Sequence, residues 1–231
     1  MKKRNLINFI TTGSVFALFI LYTILLQYVD VKPIGPNGSL VGFATVNERL
    51  HSLFGVHMWL YNITDWLGLV VIFVAFGFAV LGAVQLIKRR IFLRVDSNIL
   101  VLGGFYLLVI AAYAFFEVFV VNYRPILIEN VLEASYPSST TMLVMCIIPT
   151  AMMQLHQRIN SKNIRVVVNS LFGLFTAFMV VGRMVSGVHW FTDILGGALL
   201  SVSLIMLYYS VNKWLSCKYQ SSYPNVSRRE L

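Results

Sequence analysis

Long apolar stretches separated by short polar segments dominate this chain. About twenty apolar residues match the roughly 30 Å hydrocarbon core of a bilayer, because an α-helix rises about 1.5 Å per residue. Six stretches fit this pattern or come close to it: Leu6 to about Val29, Trp66 to Ile87, Ile99 to Val121, Thr141 to Leu155, Val166 to Val181 and Trp190 to Val211. The pattern predicts an all-α, polytopic membrane protein in which residues 1–231 form one six-transmembrane-helix bundle.

The segment from Asp30 to about Asp65 is predicted to lie outside the membrane core. Its first half contains Pro33, Gly35, Pro36 and Gly38, which favour a loop. Its second half, from Phe43 to His57, has apolar residues at helical spacing and predicts a short amphipathic helix lying in the membrane interface. Such a helix either packs beside the bundle or guides a substrate, and the pattern leaves both roles open.

Composition excludes an ordinary soluble domain. The 231 residues are 58% hydrophobic and 12% charged, with a mean hydropathy of +0.77. Two cysteines, Cys146 within a predicted span and Cys217 in the tail, provide no disulfide framework.

The net charge of +9 is distributed as a topology signal rather than as a nucleic-acid surface. Fourteen Lys and Arg residues lie on the side of the two termini, whereas four lie on the other: Lys32, Arg49, Arg124 and Arg183. Because cytoplasmic loops carry the excess of basic residues, both termini are predicted to be cytoplasmic. The sequence therefore predicts no nucleic-acid partner.

Several polar features fall at the predicted outward ends of the spans. They are Glu117, Arg124, the cluster Pro137 to Thr140, Arg183, His189 and Asp193. A carboxylate inside a span, such as Glu117, is costly and marks a functional site by default. The pattern predicts one site near the outer membrane surface.

His189 and Asp193 suggest a nucleophile with an orienting carboxylate. The two residues are four apart, so a helix that includes both lets Asp193 accept the ring N–H of His189. The free ring nitrogen is then able to attack phosphorus. The alternative is that His189 only caps or packs against a helix end.

Two arginines and a helix start predict an anion site beside this imidazole. Arg124 and Arg183 are able to hold a phosphate through forked guanidiniums, and free N–H groups around Ser138 to Thr141 add a backbone anion site. Glu117 lies seven residues before Arg124 and shares its face if the third helix continues that far. For each arginine the alternative is snorkelling to the interface.

Three spaced motifs resemble the type 2 phosphatidic acid phosphatase (lipid phosphate phosphatase) family. Gly182-Arg183-x5-His189-x3-Asp193 resembles its third signature, S-R-x5-H-x3-D, and Pro137-Ser138-Ser139-Thr140 stands where the family has P-S-G-H. Glu117-x6-Arg124-Pro125 stands where it has K-x6-R-P. The order and the six-span layout also match.

The resemblance implies roles for these residues. His189 is implied to be the nucleophile that forms a phosphohistidine, with Asp193 orienting it. Arg124, Arg183, Ser138 and the neighbouring Ser139 are implied to bind the phosphoryl oxygens. No metal or other cofactor is expected, because the arginine pair and backbone amides replace a metal in holding the phosphate.

Two departures concern the acid half of the site. The family lysine is Glu117, and the family histidine that protonates the leaving group is Thr140, whose hydroxyl is far too weak an acid for that role. Three explanations stay open: altered chemistry, an inactive lipid-phosphate binder, or a Glu117 that burial keeps protonated and that supplies the missing proton.

Together these features predict a multi-pass lipid phosphatase of a bacterial cell membrane, with its active site at the outer face. The expected substrate is a polyprenyl diphosphate, such as undecaprenyl diphosphate, or a glycerophospholipid phosphate. The alternative is a catalytically impaired relative that binds lipid phosphates in envelope lipid metabolism.

Overall fold

The computed structural model describes residues 2–222, whose regular secondary structure is helical. Its helices are α1 Lys2–Leu25, α2 Ala44–Phe54, α3 Met58–Arg89, α4 Ser97–Val118, α5 Ser139–Arg158, α6 Lys162–Val185 and α7 Phe191–Ser222. Between residues 2 and 222 there are isolated β-bridges but no strands. The all-α prediction is confirmed. Arg228 and Arg229, which entered the charge count, lie outside the described residues.

Five helices of this described range are long and apolar enough to cross a membrane: α1, α3, α4, α6 and α7. The protein is therefore a membrane protein, as predicted. The helix α5 is not among the five, because Pro149 and several polar residues interrupt its apolar sequence.

The helix α5 nevertheless lies at the centre of the bundle. It packs against α3, α4, α6 and α7, while α1 runs along α7. An apolar cluster that includes Leu102, Phe105 and Met142 lies on one side of α5, and a second that includes Val71 and Ile148 lies on the other. This enclosure fixes the position of the α5 N-terminus, which reaches the predicted site.

The structure corrects the start of the second span. The helix α3 begins at Met58 rather than Trp66, so Asp65 lies in its second turn and not in a loop. Its carboxylate is paired with Arg183 at 2.8 Å. The 32 residues of α3 extend about 48 Å, clearly more than the roughly 30 Å core.

The predicted amphipathic helix is present as α2, which packs against α7. Asn47 of α2 is fully buried and bonds to Thr192, donating from Nδ2 to its hydroxyl at 2.9 Å and accepting its backbone N–H at 3.2 Å. These contacts favour the packing role for α2 and tie it to the first turn of α7.

The loop that connects α4 to α5 crosses the start of α7. The helix α4 ends at Val118, earlier than the predicted Val121, so Arg124 does not continue a helical face with Glu117. The buried Tyr136 holds the loop, with its hydroxyl 2.7 Å from Thr23 Oγ1. Gly196 makes room for this ring, since a Cβ there would lie 2.2 Å from Tyr136 Cε2.

Candidate active site

His189 lies in the short turn between α6 and α7, where it is almost completely enclosed. The imidazole is 4% exposed. Its Nδ1 lies 3.0 Å from Ser135 Oγ, and its Nε2 lies 3.5 Å from Nη1 of Arg124. Gly187 makes the turn possible, because its φ is +68° and a Cβ there would lie 1.9 Å from the carbonyl oxygen of Gly55.

Asp193 is reached through Ser135 and not directly from His189. One carboxylate oxygen, Oδ2, accepts from Ser135 Oγ at 2.6 Å and from the Trp190 backbone N–H at 2.9 Å. The other, Oδ1, accepts from Asn122 Nδ2 at 3.2 Å. The predicted direct bond is wrong because α7 begins at Phe191. His189 therefore precedes the helix, and the four-residue spacing does not stack the two side chains.

The hydrogen bonds assign the protons of the imidazole. An ionised carboxylate only accepts, so Ser135 donates its O–H to Asp193 and its oxygen is left to accept from Nδ1–H of His189. Burial, followed by the charges of Arg124 and Arg183, lowers the pKa of His189 well below its ordinary 6.5. The imidazole is therefore neutral at neutral pH and carries its lone pair on Nε2.

Arg124 lies beside that lone pair. It reaches the site from the loop after α4, where its backbone N–H bonds to the carbonyl of Glu133 at 3.1 Å. Its Nε lies 3.0 Å from Glu133 Oε2, and its guanidinium lies over the Tyr61 ring at 5.6 Å from the centroid. Its Nη1 atom therefore faces Nε2 of His189.

Arg183 also contacts the Tyr61 ring and is 2% exposed. Its Nη2 donates to Asp65 Oδ1 at 2.8 Å and to Thr140 Oγ1 at 2.6 Å. Its guanidinium carbon lies 4.5 Å from the Tyr61 ring centroid. Both guanidiniums contact one aromatic ring and both charges act on His189, so the two arginines and the imidazole together form the candidate phosphate pocket.

Gly182 explains the difference from the family serine. A Cβ at this position would lie 2.8 Å from Thr64 Cγ2 of α3. The close approach of α3 to α6 requires glycine here, and the same approach brings Tyr61 and Asp65 of α3 to Arg183.

The start of α5 supplies polar groups to the pocket. The Ser138 backbone N–H donates to the Asp193 carbonyl at 3.0 Å, so it is not available to an anion. The side chain of the N-cap residue Ser138 does not cap the helix. Instead, Ser138 Oγ and Thr141 Oγ1 are buried without a hydrogen-bond partner, as is Nε of Arg183. Buried polar atoms that lack partners indicate a place for a polar ligand.

Glu117 and Ser139 border the pocket on a second side. Both line a small cavity together with Ser135, Tyr136 and His189. Glu117 is exposed in the last turn of α4.

The sequence patterns did not indicate three residues of the site: Ser135, Asn122 and Asp65. Ser135 and Asn122 lie in an irregular loop, where spacing carries no signal. For Asp65 a signal existed, because it follows Tyr61 by four residues on what proves to be a continuous helix. No group of three or more His, Cys, Asp or Glu side chains able to hold a metal occurs within residues 2–222.

Comparisons with known proteins agree with the motifs. Residues 116–217, which contain Glu117, Arg124, Thr140, Arg183, His189 and Asp193, match the model of the PAP2 superfamily. The fold is similar to the crystal structure of the first transmembrane PAP2 type phosphatidylglycerolphosphate phosphatase from Bacillus subtilis, with a TM-score of 0.59 and 19% identity. The similarity covers 87% of this chain and 96% of that one. No curated protein matches the chain significantly. Over residues 116–217 this chain is therefore similar to the PAP2 superfamily, in agreement with the resemblance of its motifs to the type 2 phosphatidic acid phosphatase family.

Proposed function

We propose that this protein is a membrane lipid phosphatase that acts through a phosphohistidine on His189. The match of residues 116–217 to the PAP2 superfamily and the similarity of the fold to a transmembrane PAP2 type phosphatase support a membrane phosphatase in general. The observation that carries the specific mechanism is the neutral imidazole, whose unprotonated Nε2 lies 3.5 Å from a guanidinium nitrogen of Arg124.

The first step is attack on the phosphoryl group. Arg124, Arg183 and first-turn N–H groups of α5 bind its oxygens, while Ser138 and Ser139 border the pocket. The lone pair of His189 Nε2 forms the bond to phosphorus, and the bond to the leaving oxygen breaks with its electron pair. The imidazole becomes a cation whose Nδ1–H stays bonded to Ser135 and is balanced by Asp193.

The second step returns the enzyme to its starting state. A water oxygen attacks phosphorus, the bond between phosphorus and Nε2 breaks, and its electron pair returns to the ring. Inorganic phosphate leaves after the water has lost a proton.

An apolar groove beside the site supports a lipid substrate. It lies between α1, α4 and α7, has a volume of about 760 Å³, and includes Phe19, Phe115 and Leu204. Phe116 lines both this groove and the cavity at His189. A long hydrocarbon chain in the groove would therefore have its phosphate end at the nucleophile.

The residue at the acid position favours a diphosphate. Thr140 is too weak an acid to assist the departure of an alkoxide, whose conjugate acid is about as weak as water. A phosphate monoester leaves as a stable anion, because its second pKa is about 6. The proposed substrate is therefore a polyprenyl diphosphate, such as undecaprenyl diphosphate, ahead of a glycerophospholipid phosphate.

The proposal includes the orientation of the bundle in a cell membrane. We infer that α5, enclosed by four helices, crosses as a sixth span and that both termini are cytoplasmic. The fourteen-to-four distribution of Lys and Arg supports this orientation. The site would then face outward.

A second candidate is a lipid-phosphate binder without turnover. The observation in its favour is that Arg183 already holds Asp65 and Thr140, while Arg124 holds Glu133. These partners offset part of the positive charge that a phosphate would use.

Phosphate release by the purified protein, measured across lipid mono- and diphosphates, tests the function. We expect His189→Ala to abolish turnover while a lipid phosphate still binds, because only the chemical step needs the nucleophile. Arg183→Ala is expected to weaken both affinity and rate. His156→Ala, at the opposite end of α5, is the matched control and should retain activity. Wild-type turnover in His189→Ala would refute the mechanism, and binding without turnover by the wild type would favour the binder.

A further inference from the structure

Asp65 is the ion-pair partner of Arg183, one of the two arginines proposed to bind the phosphate. Its Oδ1 and the hydroxyl of Thr140 both bond to one nitrogen, Nη2 of Arg183. Thr140 stands where the family carries the histidine that moves the proton. A carboxylate therefore lies beside the acid position, although it comes from a different helix.

The position of Asp65 in α3 gives it access to water. Its side chain is 59% exposed, whereas Arg183 is 2% exposed. The helix α3 exceeds the membrane core by about 18 Å, or roughly twelve residues, and its basic end at Lys88 and Arg89 defines one interface. The exposed Trp59 and Trp66 near Asp65 are typical of the other interface, at the level of lipid headgroups.

The proposed reaction leaves one proton without an acceptor. A diphosphate departs without protonation, but the water that hydrolyses the phosphohistidine must lose a proton. His189 Nε2 is bonded to phosphorus at that stage, and Nδ1 is bonded to Ser135. Thr140 is a poor base, and Asp193 already accepts three hydrogen bonds.

We propose that Asp65 is the general base for hydrolysis of the phosphoenzyme, an inference that rests on the proposed function. A phosphoryl oxygen held by Arg183 lies within one water molecule of the carboxylate that shares its guanidinium. Asp65 takes a proton from this water as the water oxygen bonds to phosphorus. The bond from phosphorus to Nε2 breaks, its electrons return to the ring, and Asp65 passes the proton to bulk water.

The test separates formation of the phosphoenzyme from its breakdown. Rapid-quench experiments with a polyprenyl diphosphate labelled on its terminal phosphate measure both in the full-length protein. In Asp65→Asn we expect an unchanged first turnover, accumulation of labelled phosphohistidine, and steady-state turnover about 10²–10⁴-fold lower, the usual range for loss of a general base. Asp65→Glu should recover part of the steady-state rate.

Two matched variants distinguish chemistry from positioning. Thr140→Ala removes the other partner of Nη2, so a shared role in positioning Arg183 would give both variants the same weaker phosphate affinity and slower first turnover. That result would overturn the inference. Asp30→Asn removes a carboxylate paired with Lys32 elsewhere and should change nothing.

Failure of the inference and failure of the proposed function give different results. If wild-type protein forms a phosphohistidine but Asp65→Asn hydrolyses it at the wild-type rate, Asp65 is not the base and the function stands. If wild-type protein turns over without any labelled histidine, the proposed mechanism fails and the inference falls with it.

Discussion

His189 and Asp193 are joined through the hydroxyl of Ser135, which lies 3.0 Å from the imidazole and 2.6 Å from the carboxylate. The bridge leaves the proposed chemistry unchanged, because Ser135 donates its O–H to Asp193 and accepts the Nδ1–H of His189. The loop residue Ser135 is therefore a positioning residue for the proposed nucleophile.

Ser135→Ala should lower kcat by about 10- to 100-fold, the scale typical when a group that orients a functional imidazole is lost. The ring then loses the partner that fixes its tautomer, whereas Arg124 and Arg183 still bind phosphate, so KM should change little. Ser135→Thr keeps the hydroxyl and should recover activity. Steady-state kinetics check this, and a KM change without a kcat change would contradict the positioning role.

The buried, neutral state of His189 predicts an unusual pH profile. Because the folded pKa lies well below 6.5, the nucleophilic form persists as pH falls through 6.5. The acid limb of kcat, measured at saturating substrate, should therefore lie below pH 6.5. An acid limb near pH 6.5 in kcat would contradict the assignment of a neutral His189, provided that substrate binding does not show the same pH dependence.

The same shift affects stability. Below about pH 6.5 the unfolded chain binds a proton at His189, whereas the folded protein does not. This residue therefore lowers the free energy of unfolding as the pH falls toward its folded pKa. Thermal unfolding in detergent between pH 7 and 5 should show a smaller loss of stability in His189→Gln than in wild type.

The leaving-group argument predicts a switch in substrate preference. Wild-type protein should hydrolyse a polyprenyl diphosphate faster than phosphatidic acid. Thr140→His should raise monoester hydrolysis more than diphosphate hydrolysis, since only the alkoxide needs the acid, and a positioned acid contributes about 10²–10⁴-fold. Glu117→Gln should keep most diphosphatase activity. Faster monoester cleavage by wild type would contradict the proposal.

Gly196→Ala should damage the site from a distance. The new methyl group would meet the Tyr136 ring, which is 1% exposed and directly follows Ser135 in the site loop. Overpacking of this kind costs about 1–3 kcal/mol. Gly173→Ala in α6 has no neighbour within 4 Å and is the control. Thermal unfolding and kcat should both fall only in the first variant.

The proposed orientation is tested by cysteine labelling. In a background without Cys146 and Cys217, single cysteines at Ser97 and Leu127 are treated with an impermeant reagent in intact cells. Leu127→Cys should be labelled from outside, whereas Ser97→Cys should react only after permeabilisation. Labelling of Ser97→Cys from outside would reverse the orientation.

Much of this molecule follows from its sequence because the signals are local. Apolar length alone predicted a membrane protein, and the spacing of Arg124, Arg183 and His189 indicated the resemblance to the family and the proposed nucleophile. These features can be read from the sequence because a membrane span depends on about twenty consecutive residues, and because the family motifs have a fixed spacing along the chain.

Tertiary structure decided what joins these residues. Ser135 enters between His189 and Asp193 because the loop held by Tyr136 crosses the start of α7. Asp65 reaches Arg183 because α3 begins eight residues earlier than its apolar pattern indicates and approaches α6 at Gly182. Both contacts join segments far apart in the chain, and their geometry is set by packing between helices, which no spacing along the sequence encodes.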